Sequence, residues 1–416
     1  MTAQAAVAGN PVEHIDAAWH HRGAMVQDLA DRYGTPLYVY DADVAGARVD
    51  LLRSVLSRQV DLYYSVKANP CPGVHRAFRE RGCGFEVASV GELRVVRDQG
   101  VAAEHTILVG PSKSRDLLRR ARGIGVGLVV LESPGELDRL RTVVRDDGGP
   151  AAQVALRLNP GHGRGALRMG GSSPFGMSQT DAERSLALSA GWPEVRVRGF
   201  HGFLASSLLD AADVVANCHT LLDAVTSLAP LLPEPMSFLD VGGGFGIPYH
   251  AGDAALDLGR LRGELRSVVA RARDELRVRA SFEAGRFLVG PAGILVCRVV
   301  DMKVNVDRRF VVLDGGSNVC GLFTGRYAGR SLPFQVVRGG TIVDGGHEPA
   351  TICGPLCTPL DRMATSVACG AQEGDLIVWH QCGAYGASAG LSDFLSFERP
   401  VEVVIEDAEP VWRSGA

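Results

Sequence analysis

The sequence predicts an α/β protein built from a closed barrel of eight β/α units and a C-terminal β domain that the N-terminal strand joins. Between about residue 60 and residue 285, short apolar β-rich runs alternate with longer amphipathic stretches. After Glu283 the pattern changes to strand-like runs divided by glycine turns, with little helical periodicity. The N-terminal segment PLYVYDADV also has the pattern of a strand.

Eight runs make up the predicted barrel. They cover residues 62–66, 84–88, 106–109, 127–131, 154–158, 197–203, 237–241 and 278–282. Eight parallel strands separated by helices favour a closed barrel, and an open doubly wound sheet is the alternative. In a barrel, the catalytic side chains are expected at the carboxyl ends of the strands.

The predicted domains follow from these patterns. Residues 1–40 form an N-terminal segment that contributes to the β domain, residues 41–285 form the barrel, and residues 286–416 form the β domain. The β domain is indicated by the runs VCRVVDMKV, RRFVVLDGG, FQVVRGG, GDLIVWHQCG and VEVVIED. The sequence shows no internal repeat and no low-complexity tract.

Composition excludes several classes of function. The 43 basic and 47 acidic side chains give a formal charge of -4, so neither nucleic acid nor a membrane surface is an expected partner. The nine cysteines show no zinc-ligand spacing, so we expect no metal. The N-terminus lacks a secretory pattern, and no uninterrupted apolar run reaches the roughly 20 residues of a membrane span. These features predict a cytoplasmic protein that acts on small molecules.

Three motifs end predicted barrel strands. YYSVKANP places Lys67 at a strand end, where its amine could form a Schiff base with an aldehyde cofactor, although a plain surface lysine is the alternative. DVGGGFG supplies the glycines at 242–244, whose amides could converge on a phosphate or could form an ordinary turn. SFEAGRFLVG supplies Glu283, whose carboxylate could hold a pyridine nitrogen in its protonated form or could pair with Arg286.

These motifs, together with GFEVASVGEL, GPLCTPLD and GAYG, resemble the fold-type III pyridoxal-phosphate (PLP) decarboxylases, the family of ornithine and diaminopimelate decarboxylases with an alanine-racemase-like barrel. The resemblance spans about residues 35–400. It implies that PLP is the cofactor, that Lys67 is the Schiff-base lysine and that Glu283 is the partner of the pyridine nitrogen. It also implies cofactor contacts for Glu86, Arg157, Phe203, Ser206, Gly242, Gly243, Gly244, Arg286 and Tyr385. Cys357 matches a catalytic cysteine supplied by the other subunit, so the resemblance implies a head-to-tail homodimer with shared active sites.

Departures from the family pattern narrow the expected substrate. The segment HGFLASS has Phe203 where common members have the histidine that stacks on the cofactor. Thr358 stands where the diamine and diamino-acid enzymes carry the acid that pairs with the distal amine of the substrate. Because a buried ammonium without a counter-charge is costly, we expect a substrate with a neutral distal end. By its place in the same motif, Asp361 is also expected to contact substrate.

The strings ALRMGGSSPFGM, RGFHGFLASSLLD and CGAYGASAGLSDFLSF are similar to decarboxylases of natural-product and exopolysaccharide loci. Some of these act on aspartyl, methylaspartyl or glutamyl groups tethered to an acyl carrier protein. The expected function is therefore PLP-dependent α-decarboxylation of such an aminoacyl group, with Cys357 or Lys67 returning a proton to Cα. The alternatives are decarboxylation of a free amino acid such as a diaminopimelate-like substrate, an amino-acid racemase, and a non-catalytic PLP-binding protein.

Overall fold

A computed structural model describes residues 19, 21–57, 59–250, 252–324, 331–343, 346 and 348–414. Its strands are, in chain order, β1 (Leu37–Asp41), β2 (Asp61–Ser65), β3 (Gly84–Val87), β4 (Thr106–Leu108), β5 (Leu128–Leu131), β6 (Ala152–Arg157), β7 (Leu167–Arg168), β8 (Val195–His201), β9 (Ala205–Ser206), β10 (Phe238–Gly243), β11 (Ala280–Ala284), β12 (Gly293–Asn305), β13 (Arg308–Leu313), β14 (Phe334–Arg338), β15 (Thr341–Val343), β16 (Pro349–Cys353), β17 (Arg362–Ala368), β18 (Leu376–Trp379), β19 (Val401–Glu406) and β20 (Glu409–Arg413). Its α-helices are α1 (Gly23–Tyr33), α2 (Ala42–Val55), α3 (Pro72–Glu80), α4 (Val90–Asp98), α5 (Arg115–Ile124), α6 (Pro134–Asp147), α7 (Gln179–Ser189), α8 (Ala211–Leu228), α9 (Leu258–Asp274) and α10 (Arg286–Val289).

The described residues divide into two compact units. One unit contains the residues up to Arg48, the segment Pro248–Ala255 and the residues from Arg286 onward. The other contains Val49–Ile247 and Leu256–Gly285. The predicted domains at residues 1–40, 41–285 and 286–416 stay a prediction.

The second unit is a closed parallel barrel with the strand order β10-β11-β2-β3-β4-β5-β6-β8. Each of the eight runs predicted from the sequence overlaps one of these strands, and closure excludes the open doubly wound sheet. Apolar side chains line the strands on both faces, as parallel strands covered by helices require. Part of the barrel core is a cluster formed by Ile107, Val109, Leu128, Val130 and Ala155.

Serine caps start several of the helices that follow barrel strands. The side-chain oxygen of each serine accepts the backbone N–H three residues ahead, which satisfies an amide that the helix cannot. These caps are Ser89 before α4, Ser114 before α5, Ser133 before α6 and Ser178 before α7. The caps hold each strand-to-helix turn at the carboxyl end of the barrel, where the predicted site residues lie.

Helix α8 and the turn after it are the one described segment that is long and apolar enough to cross a membrane by length and composition. The helix lies between β8 and β10 in the chain, in the helical layer of the barrel. Leu221, Leu222, Val225 and Leu228 are fully buried there. Packing inside the barrel unit therefore accounts for its apolar character.

The other unit contains a ten-stranded sheet with the main order β15-β14-β18-β12-β1-β19-β20. Strand β1 is antiparallel to β12 and parallel to β19, so the N-terminal strand joins the C-terminal sheet as predicted. A core cluster that includes Leu37, Val39, Ile294, Val296 and Val378 packs on this sheet. The barrel and the sheet together confirm the predicted fold class. The sequence did not predict β15, β16, β17 and β20, which are short or carry mixed polar and apolar residues.

Candidate active site

Lys67 lies just beyond the end of β2, in the single turn Val66–Ala68. Its Nζ donates to both carboxylate oxygens of Glu86, at 2.7 and 2.9 Å. Glu86 is on the neighbouring strand, where it pairs in register with Ser65, and it is 2% exposed. The lysine side chain is 42% exposed, so a buried carboxylate holds an accessible amine at the carboxyl end of the barrel.

Phe203 lies beside this amine, just after β8. Its ring centroid is 5.7 Å from the Nζ of Lys67, within the range of a cation–π contact. Ser206 is farther along the same segment, in the short strand β9, where it pairs with Leu167 of β7. The structure thus brings Lys67, Glu86 and Phe203 together, and it places Ser206 in the small ribbon that follows β8.

The glycine turn at the end of β10 leaves no room for side chains. A Cβ on Gly243 would clash with the carbonyl oxygen of Glu283, and one on Gly244 would clash with the carbonyl oxygen of Ala205. Gly242 and Gly244 have φ values of 75° and 69°, which disfavour residues with a Cβ. Glycine is therefore required for the geometry of this turn, and a turn without Cβ atoms is also the kind that a phosphate can approach closely.

Glu283 belongs to a group of buried polar side chains on β8, β10 and β11. The Nε2 of His201 is 2.9 Å from Oε1 of Glu283, and both side chains are at most 2% exposed. Burial alone would raise the pKa of Glu283, but His201, Lys67 and Arg157 lower it to about 2. Glu283 is therefore an anion at neutral pH and can stabilise a positive charge beside it.

Asp240 lies next to this pair and behaves differently. Its Oδ1 accepts the backbone N–H of Gly242 at 2.7 Å, so it shapes the glycine turn. Burial, and then the charge of Glu283, raise the pKa of Asp240 well above its usual range. His201, Asp240 and Glu283 are also of the types that bind metal ions, with ligand atoms within 4.8 Å of one another. Their mutual arrangement is explained by the His201–Glu283 hydrogen bond and the Asp240–Gly242 hydrogen bond.

Arg157 ends β6 and is 5% exposed. Its Nη1 donates to Oε1 of Glu132 at 2.9 Å, and its guanidinium lies 5.1 Å from the ring of Phe175. Glu132 also accepts the backbone N–H groups of Gly110 and Gly176. A buried carboxylate thus ties three loops of the barrel together and orients the arginine.

The remaining predicted residues belong to the sheet-rich unit. Arg286 begins α10, directly after the barrel strand that carries Glu283, and its Nη1 donates to the hydroxyl of Tyr249 at 2.7 Å. Its guanidinium also lies 4.6 Å from the ring of Tyr385, which adopts a φ of 55°. The arginine and the two tyrosines form one cluster, which is a suitable arrangement for recognising an anion.

Cys357 is exposed at the turn after β16, and Thr358 follows it. The Oγ1 of Thr358 accepts the backbone N–H of Leu360 at 3.3 Å. Asp361 is buried, and its oxygens accept from the N–H and hydroxyl of Ser317 and from the N–H of Leu356. These bonds show that Asp361 shapes the loop, and its contact with substrate stays a prediction.

Sequence reasoning did not single out His201, Asp240, Glu132 or Tyr249 as site residues. His201 ends β8 and Asp240 lies in β10. Their positions near the carboxyl ends of barrel strands could have identified them as site residues. Glu132 follows β5 in the same way. Tyr249 carried no such signal, because it lies in the segment Pro248–Ala255, which belongs to the other unit.

Known proteins are similar to this chain over most of its length. The family model for the pyridoxal binding domain of pyridoxal-dependent decarboxylases matches residues 45–290. The chain is 32% identical to an L-glutamyl-(BtrI acyl-carrier protein) decarboxylase of Niallia circulans over 92% of this chain and 91% of that protein. It is 30% identical to a diaminopimelate decarboxylase of Actinosynnema pretiosum subsp. auranticum over 92% of this chain and 87% of that protein.

A solved structure supports the fold. The diaminopimelate decarboxylase of Helicobacter pylori, complexed with L-lysine, superposes with a TM-score of 0.83 and 23% sequence identity, covering 92% of this chain and 94% of that one. The sequence has three lysines, Lys67, Lys113 and Lys303. Of these, Lys67 is the one at the carboxyl end of a barrel strand, beside an aromatic ring.

The residues of the barrel fit pyridoxal phosphate. An accessible lysine amine can carry the aldehyde, a glycine turn without room for Cβ atoms can approach the phosphate, and a buried carboxylate anion can face the pyridine nitrogen. The family match covers more than half of the chain. The chain therefore belongs to the pyridoxal-dependent decarboxylase family, and it is a carboxy-lyase that uses pyridoxal 5'-phosphate.

Proposed function

We propose that this enzyme removes the α-carboxylate of an aspartyl, methylaspartyl or glutamyl group that is carried as a thioester on an acyl carrier protein. The observation that carries the proposal is the charge of the loop around Cys357. Thr358 is uncharged, and Asp361 is turned inward, with both oxygens engaged by loop groups. Among the described residues 354–361, no other side chain is acidic.

This loop therefore lacks a carboxylate for a distal ammonium group. Ornithine, lysine and diaminopimelate carry such a group, and leaving it unpaired in a buried site is costly. A thioester on a carrier protein presents a neutral end instead. The relative that acts on a carrier-bound glutamyl group supports the same proposal.

The roles of the chain's own residues follow from their positions. Pyridoxal phosphate, when bound, supplies a conjugated ring that accepts the electron pair left when carbon dioxide departs. Lys67 carries the cofactor, and Glu86 fixes the lysine amine and can accept a proton from it. Glu283 stabilises positive charge on the pyridine nitrogen, and Phe203 covers one side of the site against water. Cys357, or Lys67 once released, returns a proton to Cα.

The roles of Arg157 near the ring oxygen, and of Ser206, Gly242, Gly243, Gly244, Arg286 and Tyr385 at the phosphate, stay predictions. Substituting these residues one at a time would distinguish cofactor-binding roles from catalytic ones. Loss of a phosphate contact weakens cofactor binding, whereas loss of a proton donor slows turnover while binding persists.

The proposal includes a head-to-tail homodimer in which Cys357 completes the active site of the partner subunit. Cys357 is exposed, and Leu360 beside it is 76% exposed. Large apolar side chains at 391–397 are exposed as well, namely Leu391, Phe394, Leu395 and Phe397. Apolar exposure of this extent in one unit is typical of a surface that another chain covers.

The test is intact-mass analysis of an acyl carrier protein loaded in turn with aspartyl, 3-methylaspartyl and glutamyl groups. Each is incubated with the holoenzyme beside the same amino acids in free form. Loss of about 44 Da from a loaded carrier, and from no free amino acid, is the expected result. The Lys67→Ala variant is the control, and it should leave every mass unchanged.

A free amino-acid substrate is the second candidate, favoured by the similarity to diaminopimelate decarboxylases. In that case free diaminopimelate would lose carbon dioxide, and the loaded carriers would keep their mass. Inversion at Cα without loss of carbon dioxide, detected by chiral chromatography, would point to a racemase instead.

A further inference from the structure

Three polar side chains occupy the ends of adjacent barrel strands with almost no access to solvent. His201 pairs in register with Asp240, and Glu283 pairs with Gly243, on β8, β10 and β11. Their exposed fractions are 0%, 0% and 2%. Ionisable groups are this deeply buried only when hydrogen bonds or opposite charges compensate the loss of water.

His201 supplies that compensation to one oxygen of Glu283. A carboxylate can only accept, so Nε2 of His201 carries the proton and donates to Oε1 at 2.9 Å. Within the described part of the chain, this is the one hydrogen bond that the Glu283 side chain makes. The second oxygen, Oε2, is left for another donor.

Asp240 does not compete for this role. Its Oδ1 accepts the N–H of Gly242, and burial, followed by the charge of Glu283, raises its pKa and favours its protonated form. The two carboxyl groups therefore differ: Glu283 carries the negative charge, and Asp240 shapes the glycine turn. Among the described residues, His201 is the hydrogen-bond donor that holds the Glu283 carboxylate.

We propose that His201 is a positioning residue that holds Oε1 of Glu283, so that Oε2 faces the pyridine nitrogen of the cofactor. This inference rests on the proposed role of Glu283. Without the histidine, the carboxylate would turn among several orientations, and its hydrogen bond to the nitrogen would weaken. His201 itself touches neither cofactor nor substrate in this scheme.

The test compares two ligands on the same variant proteins. One is pyridoxal phosphate, and the other is its deaza analogue, in which carbon replaces the pyridine nitrogen. Dissociation constants of both are measured by equilibrium dialysis for His201→Leu, which removes the donor, and His201→Gln, which keeps an N–H near the position of Nε2. His219→Leu is the matched control, because His219 lies in the outer helix α8 and contacts Ser267.

We expect His201→Leu to weaken binding of pyridoxal phosphate about tenfold, as loss of one charge-assisted hydrogen bond would. Binding of the deaza analogue should be unchanged. His201→Gln should restore most of the difference, and His219→Leu should show none. Because the ratio of the two constants is taken on one protein sample, a reduced folded fraction cancels.

Equal weakening of both ligands by His201→Leu would overturn the inference, since it would indicate a general structural defect. The Glu283→Gln variant separates this outcome from failure of the proposed role of Glu283. If Glu283→Gln does not discriminate between the two ligands, the role of Glu283 is wrong. If it does and His201→Leu does not, Glu283 keeps its role and His201 loses the one proposed here.

Discussion

Lys67 is an accessible amine held by a buried carboxylate, and its proposed attachment to the cofactor requires that access. Lys113 also pairs with an acid, Glu136. Its side chain is fully buried, and burial lowers the pKa of its amine. Lys303 is an exposed residue of β12 that pairs with Asp301. Three lysines thus occupy three different environments, and Lys67 alone combines access with a barrel-end position.

The first prediction concerns attachment of the cofactor. Borohydride reduction of the holoenzyme followed by peptide mapping should place the cofactor mass on Lys67, because its amine is reachable. Lys67→Ala should abolish turnover and the absorbance of bound cofactor, whereas the control Lys303→Ala should keep both. Retention of activity and absorbance in Lys67→Ala would contradict the assignment.

The second prediction concerns His75, which is fully buried in α3 with Nε2 3.1 Å from the carbonyl oxygen of Asn69. Burial lowers the pKa of His75 to about 4. The unfolded chain, with a histidine pKa of about 6.5, therefore binds a proton that the folded state does not. The free energy of unfolding should fall by up to about 3 kcal/mol as pH drops from 6.5 to 4.

Urea unfolding of the cofactor-free protein at several pH values measures this dependence. His75→Gln should remove that part of the pH slope, because glutamine does not titrate. Exposed His162→Gln serves as the control and should keep the slope. An unchanged slope in His75→Gln would show that other groups cause the dependence.

At the scale of elements, the turn at the end of β10 couples the glycine run to the strand that carries Glu283. Gly243 is in register with Glu283, and its missing Cβ is what allows the close approach of the two backbones. The position of Glu283 and the shape of the glycine turn therefore depend on the same contact.

The third prediction is that Gly243→Ala displaces this contact. We expect cofactor affinity to fall at least about tenfold and the free energy of unfolding to fall by about 2 kcal/mol, since backbone atoms must move. The matched control is Gly191→Ala, where an added Cβ meets nothing within 4 Å. Equilibrium dialysis and thermal unfolding measure both quantities. A Gly243→Ala protein that binds like the control would refute the coupling.

At the scale of the whole molecule, the proposed dimer determines whether the site is complete. Cys357 is exposed in the sheet-rich unit, and so are the large apolar side chains at 391–397. A residue with this exposure can serve a partner subunit, and the fold-family resemblance assigns it that role.

The fourth prediction is subunit complementation. Lys67→Ala and Cys357→Ala homodimers should each be nearly inactive, because each lacks one residue at both sites. If each site combines Lys67 of one subunit with Cys357 of the other, refolding the two variants together should restore about a quarter of wild-type activity. Failure to recover activity, with dimers present by analytical ultracentrifugation, would mean that both residues come from one chain.

How much of the site could be predicted depended on where each residue lies in the chain. Lys67 and Glu283 directly follow or occupy strongly apolar strands, so the strand pattern alone put them at the carboxyl end of the barrel. Asp361 shows the opposite case. Its motif predicts contact with substrate, which stays a prediction, but the motif does not reveal that Asp361 accepts from Ser317, because no linear pattern encodes a hydrogen bond across 44 residues.

The sequence by itself determined the alternation of strands and helices, the lysine and glutamate at strand ends, and the family, because these depend on local periodicity and short motifs. Only the tertiary structure decided that His201 holds Glu283 and that Asp240 shapes the glycine turn. It also decided that Tyr249 contacts Arg286. The His201–Glu283 and Tyr249–Arg286 contacts join residues 82 and 37 positions apart in the chain, and the first of them depends on the register of neighbouring barrel strands. That register is set by closure of the barrel as a whole, which no single segment specifies.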